Sequence, residues 1–256
     1  MDKTVRKALS ASVAFLALLA AWKIAVWFGP FNETLFPGPL LVGKAFFEMA
    51  ASGKLLADTV ASVGRLLAGF AVGTGLGIGA GIITAKARAF RELGGPVLNS
   101  LRFVPPLSLV PLAIMWLGIG EISKIALIAE GVFFPMWLNA IAGIASVEKK
   151  QAWAAESLGA SKARMVREVV LPSSMPFLVA GARISLGVAF ALLIAAEMAG
   201  AFSGLGFRIS LAHQVFRVDK MIACILFLGV LGFAADRTLS LTAKKLIPWN
   251  RSWLND

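Results

Sequence analysis

Long apolar runs separated by short basic segments dominate the chain. Apolar residues fill about 11–28, 66–84, 97–117, 125–144, 177–199 and 221–235. Most of these runs approach the roughly 20 residues that a helix needs to cross a bilayer. Six spans are therefore expected. The cations cluster between them: Lys3, Arg6 and Lys7; Lys86, Arg88 and Arg91; Lys149, Lys150, Lys162, Arg164 and Arg167; then Arg237, Lys244, Lys245 and Arg251 beside Asp236. With six spans all four clusters fall on one side, the cytoplasmic side by the positive-inside rule, with both termini there. Arg208, Arg217 and Lys220 fall on the other side and weaken the rule slightly. A signal peptide is the alternative for the first run. That run is long for one and no small-x-small cleavage site follows Leu18-Leu19-Ala20, so it reads as an uncleaved span.

The runs differ in their polar and small residues. After the first span, Asn32, Pro37, Gly38 and Pro39 mark turns, and Val42 to Ala51 has the pattern of a short amphipathic helix on the outer surface. The second run carries Gly69, Gly73, Gly77 and Gly81 four apart, one nearly bare helix face that permits close packing in lipid. Gly75-x-Gly77-x-x-Ala80 imitates a dinucleotide fingerprint, but no strand precedes it. Pro105, Pro106 and Pro111 break the third run. A kinked span frees carbonyls, which are tolerated at membrane depth where they face protein or a water-filled path. Pathway lining and a merely bent packing helix stand as equal readings. Gly118-Ile119-Gly120-Glu121 reads as a tight outer turn. The fourth run holds Glu130 and Pro135, and the fifth has Arg183 near its inner end and Glu197 near its outer end. Charges inside spans are costly and often functional, yet pairing within the bundle explains them equally well.

Composition agrees with this class. Of 256 residues, 58% are hydrophobic and 15% charged, and the mean hydropathy is +0.81, which is rare for a soluble domain. The formal charge of +11 raises the question of nucleic acid. The cations flank apolar spans instead of forming a face interleaved with aromatics, so nucleic acid is not the expected partner. The single cysteine, Cys224, rules out an internal disulfide. A single histidine, His213, removes most routes to a metal or catalytic cluster.

The longest polar interruption of the second half lies between the fourth and fifth runs. Gln151 to Leu158 favours helix, Gly159 suits the left-handed residue that ends one, and Ser161 suits the cap of the next. Val166, Val169 and Val170 would then share a face, and Pro172 would end the second helix. Such a helical hairpin suits a soluble partner; a solvated basic loop is an equal reading.

Familiar catalytic patterns do not occur in the sequence. Gly53-Lys54 is followed by Leu55 and lacks the spacing of a phosphate-cradling loop. There is no Gly-x-Ser-x-Gly elbow. Ser203 and His213 in an outer loop would make a membrane enzyme conceivable, but no oriented acid accompanies them.

The hairpin resembles the "EAA" loop of binding-protein-dependent ABC importer permeases: Glu-Ala-Ala, three residues, Gly, nine residues, Ile-x-Leu-Pro. Ala154, Ala155, Gly159, Leu171 and Pro172 fall on it. Trp153 stands at the usual glutamate, Val169 at the usual isoleucine, and Glu156 is out of register. The segments Val104 to Leu112, Trp116 to Glu121, Gly131 to Pro135, Ala195 to Met198 and Ser203 to Gly206 are similar to the nitrate, sulfonate, taurine and bicarbonate branch.

The resemblance implies an all-α membrane protein of the type I ABC importer permease fold, in a bacterial cytoplasmic membrane. It implies a homodimer of this subunit, a cytoplasmic ABC ATPase dimer that binds the ATP, and an outer solute-binding protein. The chain itself would hold no cofactor and no metal. Coupling to the ATPase would fall to Trp153, Ala154, Ala155, Glu156, Gly159, Ala160, Leu171 and Pro172. Arg102, Pro105, Pro106, Glu130 and Glu197 are the residues expected along the path, with Arg102, Arg208 and Arg217 favouring an anion. The chain would divide into an N-terminal span and outer segment (1–58), a permease core (59–240, with the hairpin at 147–172) and a cytoplasmic tail (241–256). A secondary carrier driven by an ion gradient, with its site at the broken span and Glu130, is the competing reading.

Overall fold

The computed structural model describes residues 3–29 and 32–249; of the expected tail, residues 250–256, with Arg251, lie outside them. The described residues form helices and turns, without a strand. Helix α1 spans Lys3–Phe28, α2 Pro39–Ala51, α3 Lys54–Lys86, α4 Gly95–Leu101, α5 Val110–Leu117 and α6 Glu121–Ala145. After these come α7 Lys149–Ser157, α8 Lys162–Met165, α9 Leu171–Gly200, α10 Leu205–Gln214 and α11 Val218–Leu246. Four helical stretches are long and apolar enough to cross a membrane: Lys54–Lys86, Glu121–Ala145, Lys162–Gly200 and Val218–Lys245. A fifth counts if Phe90–Leu101 and Pro106–Leu117 make one span, bent by 82°. The first expected span is helical, and its apolar part in this reckoning is Leu16–Phe28.

The glycine stripe decides the packing. Buried positions on α3 follow one line: Leu55, Asp58, Ser62, Arg65, Gly69, Gly73, Gly77, Gly81 and Thr84. A Cβ at Gly73 would collide with Ala129 O and Val132, one at Gly77 with Met136 and Phe133 O, and one at Gly81 with Ala140. At Gly75 and Gly79 nothing lies within 4 Å. The stripe thus brings α3 against α6 at backbone distance. The other side of α6 meets α9 in the same way, through Gly131 against Leu192 and Gly181 against Asn139. Ile128, Val132, Met136, Ala189, Leu192 and Leu193 fill the core among the three helices. Trp137 donates its Nε1–H to Thr84 Oγ1 at 2.9 Å, joining α6 to the far end of α3.

Three prolines act as the sequence suggests, and one does not. Pro105, Pro106 and Pro111 stand at the 82° bend, where α4 gives way to a 3-10 turn, Pro106–Leu109, and then α5. Pro172 was expected to end a helix. It sits instead in the first turn of α9, directly after a π-helical turn, Val166–Val170. Leu171 N bonds back to Val166 O, five residues away. The wider turn moves the preceding carbonyls off the proline ring, so helix runs on through the site. The same device precedes Pro96: the turn Phe90–Gly94 is π-helical, and Gly95 N bonds to Phe90 O. The extra residue per turn also shifts the register. Val166, Val170 and Leu171 line a cavity of about 100 Å³ against α3 and α6, and Val169 is not in that lining.

Candidate functional site

The hairpin between α6 and α9 is built by local hydrogen bonds. Gly159 adopts φ 76°, and its N–H donates to Glu156 O at 2.9 Å while Ala160 N donates to Ala155 O at 3.0 Å. These are the two bonds of a Schellman ending, and the left-handed residue at its centre favours glycine. Ser161 then caps α8, its Oγ accepting from Arg164 N at 3.3 Å. Arg164 and Glu168 pair one turn apart on the outside. None of the hairpin residues from Lys149 to Leu171 is buried; Trp153 is 63% exposed and Leu158 87%. Large apolar side chains held out on a defined turn are what a covering partner takes up.

The residues expected on the path do not form one cluster. Arg102, Pro105 and Pro106 come together at the bend; Arg102 lies over the Phe103 ring at 5.0 Å, and both are exposed. Glu130 is half-buried on α6, and its Oε2 has no hydrogen-bond partner. Glu197 requires correction. It is 1% exposed, and both oxygens are taken, by Ser62 Oγ, Arg65 Nη1 and the Gly206 N–H, so it offers no free carboxylate to a path. Of the other arginines, Arg183 pairs with Asp236 at 2.8 Å, Arg208 with Asp58, and Arg217 with Asp219.

Sequence reasoning missed the polar cluster around Glu197. It joins α3, α6, α9 and the loop into α10. Arg65, 5% exposed, uses all five of its N–H donors. Nε and Nη2 hold the Glu121 carboxylate at 2.6 and 2.8 Å; Nη1 donates to Glu197 Oε1 and Ser203 O, both at 2.7 Å; Nη2 also reaches Ser203 Oγ at 3.0 Å. Asp58 accepts from Gly204 N and Arg208 Nε, and Ser62 Oγ accepts from Leu205 N. Lys124, 3% exposed, donates to Ile119 O and Gly120 O. Three cations, Arg65, Lys124 and Arg208, thus meet three carboxylates, the buried Asp58 and Glu197 and the exposed Glu121. Gly204 and Gly206 let the loop approach, because a Cβ on either would strike Glu197. Ser203 is thereby engaged with Arg65 and shares no hydrogen bond with His213, which is exposed near the far end of α10. The available signal was spacing: Asp58, Ser62 and Arg65 extend the glycine stripe upward on the same helix face.

With this geometry in hand, comparison with known proteins is informative. Residues 73–247 match the family described as binding-protein-dependent transport system inner membrane component. The putative aliphatic sulfonates transport permease protein SsuC of Bacillus subtilis (strain 168) is 35% identical over 236 residues, 92% of this chain and 86% of that protein. The taurine transport system permease protein TauC of Escherichia coli (strain K12) is 33% identical over 245 residues, 93% and 89% of the two. In fold, the chain is similar to an amino acid ABC transporter crystal structure, with TM-score 0.59 at 17% identity, covering 78% of this chain and 98% of that one. The inward-facing MetNI methionine ABC transporter gives TM-score 0.57 at 17% identity, over 73% and 91%. The chain belongs to the family of binding-protein-dependent inner-membrane permeases. It is a multi-pass ABC importer permease, a transport subunit whose family works with an ATPase and a solute-binding protein.

Proposed function

We propose that this chain, as a homodimer, forms the pore of an ATP-driven importer for a small anion or sulfonate. The hairpin carries this reading. It is held by its own hydrogen bonds, exposed and continuous with a long helix, since Lys162 to Gly200 runs unbroken through the π turn. A cytoplasmic ATPase pair that grips α7 and α8 would move α9, and α6 directly before it. The two access states then follow as a rigid-body rearrangement. In this reading the basic clusters, both termini and the hairpin face the cytoplasm. The core is 59–240, flanked by the N-terminal segment and the tail.

The substrate class rests on two supports. The relatives include permeases named for aliphatic sulfonates, taurine and bicarbonate. At the bend, Arg102 is exposed and makes no ion pair among the described residues, a cation available to an anion in transit. Pro105, Pro106 and Glu130, whose Oε2 has no hydrogen-bond partner, complete the proposed lining.

Two measurements test the reading. Gly159→Leu should cut both ATPase co-purification and uptake, and normal assembly with normal uptake would sink the coupling role. Liposomes holding the complex should accumulate sulfonate only with ATP inside and binding protein outside. Uptake by this chain alone on an ion gradient would establish the secondary carrier instead.

A further inference from the structure

The corner between α10 and α11 has a backbone that its sequence does not favour. Phe216 has φ 53°, the one non-glycine residue with positive φ among the described residues. Its N–H donates to His213 O and Arg217 N donates to Ala212 O, so a Schellman ending closes α10 with phenylalanine where glycine is the unstrained choice. The strained side chain is not used for packing: Phe216 is 71% exposed and the neighbouring Val215 61%. A bulky residue held in this region without burial points to a role outside the fold.

The surroundings say what it would meet. Beside the corner lies a basin of about 350 Å³ lined by Lys54, Arg208, Arg217, Lys220 and Glu48; Arg208 is held by Asp58 and Arg217 by Asp219. Glu48 is shared at 3.8 and 3.9 Å by Arg217 and Lys220, and Lys54 makes no ion pair among the described residues. An exposed aromatic and valine beside Lys54 and the loosely held Lys220 complement an apolar hollow rimmed by carboxylates.

The corner is also fixed to the rest of the protein. Gly204, Leu205 and Gly206 at the start of α10 donate to Asp58, Ser62 and Glu197, so α10 is locked to α3 and α9. The far end of the same continuous helix carries the hairpin.

We infer that Phe216 and Val215, with Lys54 and Lys220, form a docking surface for an acidic face of the solute-binding protein. The occupant rests on the proposed function, which gives the importer a delivering protein and places this corner on the outer side. Docking there would bear on α10 and, through the Arg65 cluster, on α9. The surface and the motor would then be joined by one rigid path.

The test uses the full complex in nanodiscs and the purified binding protein that supports uptake by that complex. Phe216→Gly relieves the backbone and removes the aromatic. It should leave ATPase co-purification intact and the melting temperature at or above the parent's, while weakening binding-protein docking about tenfold. Lys54→Glu with Lys220→Glu should weaken docking at least as much, with a shallower salt dependence. A stable Phe216→Gly complex that docks like the parent, together with unchanged docking of the charge variant, overturns the inference. Loss of docking only in discs containing phosphatidylglycerol would assign the corner to lipid, and loss of the permease dimer would assign it to a second copy; either overturns it as well. If the unaltered complex neither docks nor responds to any binding protein, the proposed function itself fails, a distinct result.

Discussion

Arg65 on α3 donates to Glu197 on α9 at 2.7 Å, with neither side chain more than 5% exposed. The two residues are 132 positions apart in sequence, and their contact closes the end of the three-helix core opposite Thr84 and Trp137. Glu121, the other carboxylate on Arg65, is 58% exposed, so its bond is weakened by solvent.

The buried pair should therefore behave as a unit. Removing one partner from a buried ion pair costs about 3–5 kcal/mol, because the other charge is left without compensation. Arg65→Met leaves Glu197 without a cation; Glu197→Ala leaves Arg65 only the solvent-weakened Glu121 and frees the Gly206 N–H. Each should lower the melting temperature and the yield of purified complex sharply. The double variant Arg65→Met, Glu197→Met should lose much less than the sum. Additive losses in thermal melts would show that the two side chains contribute independently. Arg65→Lys should fare poorly too, since an ammonium cannot reproduce five donors in a planar fork.

Neighbouring glycines on α3 should respond in opposite ways. At Gly73 an added methyl meets the Ala129 carbonyl and Val132, and overpacking a tight contact costs about 1–3 kcal/mol. At Gly75 nothing lies within 4 Å of the added atom, and alanine there gains about 0.5–1 kcal/mol of helix propensity. Within one protomer, Gly73→Ala should thus reduce stability and Gly75→Ala should not. Equal effects in melts of the detergent-solubilised protein would contradict the close α3–α6 packing. Loss of dimer specifically in Gly75→Ala would instead place that open face at a subunit contact.

The contrast shows how far the sequence was legible. Glycines spaced by four announced a close helix contact, and proline clusters announced the break between α4 and α5, because both act through the local backbone. Gly159 and Ser161 were readable for the same reason: caps are settled within a few residues. The partners of Arg65 were not, since Glu121, Glu197 and Ser203 reach it only once α3, α6 and α9 have packed. Nor does sequence spacing reveal a π turn, which adds a residue without changing composition. That is why Pro172 reads as a stop and behaves as part of a continuous helix.

Leu158 and Trp153 supply a test confined to the surface. Both project from the hairpin and contact no buried core, so polar replacements should change stability by no more than about 0.5 kcal/mol. In a partner's groove, however, each would lose the burial of a large apolar side chain, about 1.5–3 kcal/mol. Leu158→Asp and Trp153→Ser should accordingly leave the isolated permease folded and reduce ATPase co-purification roughly ten- to hundredfold. Full retention of the ATPase by both variants would place the contact elsewhere on the hairpin.

Pro172 stands where the hairpin joins α9, directly after the π turn. The π turn before it adds one residue to the helix, and one residue corresponds to about 100° of rotation and 1.5 Å of rise. Pro172→Ala restores an N–H and removes the ring, so ordinary α-helical bonding becomes available through 166–172. If the turn relaxes, α7 and α8 rotate by that amount relative to the span they drive. The hairpin keeps its own Schellman ending and cap, so the ATPase should still bind. Transmission of its motion should suffer instead. The expected result is near-normal co-purification, retained ATP hydrolysis and uptake reduced severalfold, read as more ATP consumed per solute imported. An unchanged ratio in Pro172→Ala would mean that the π turn persists without its proline or that its register does not matter to coupling. A parallel loss of ATPase binding would instead place Pro172 within the docking contact.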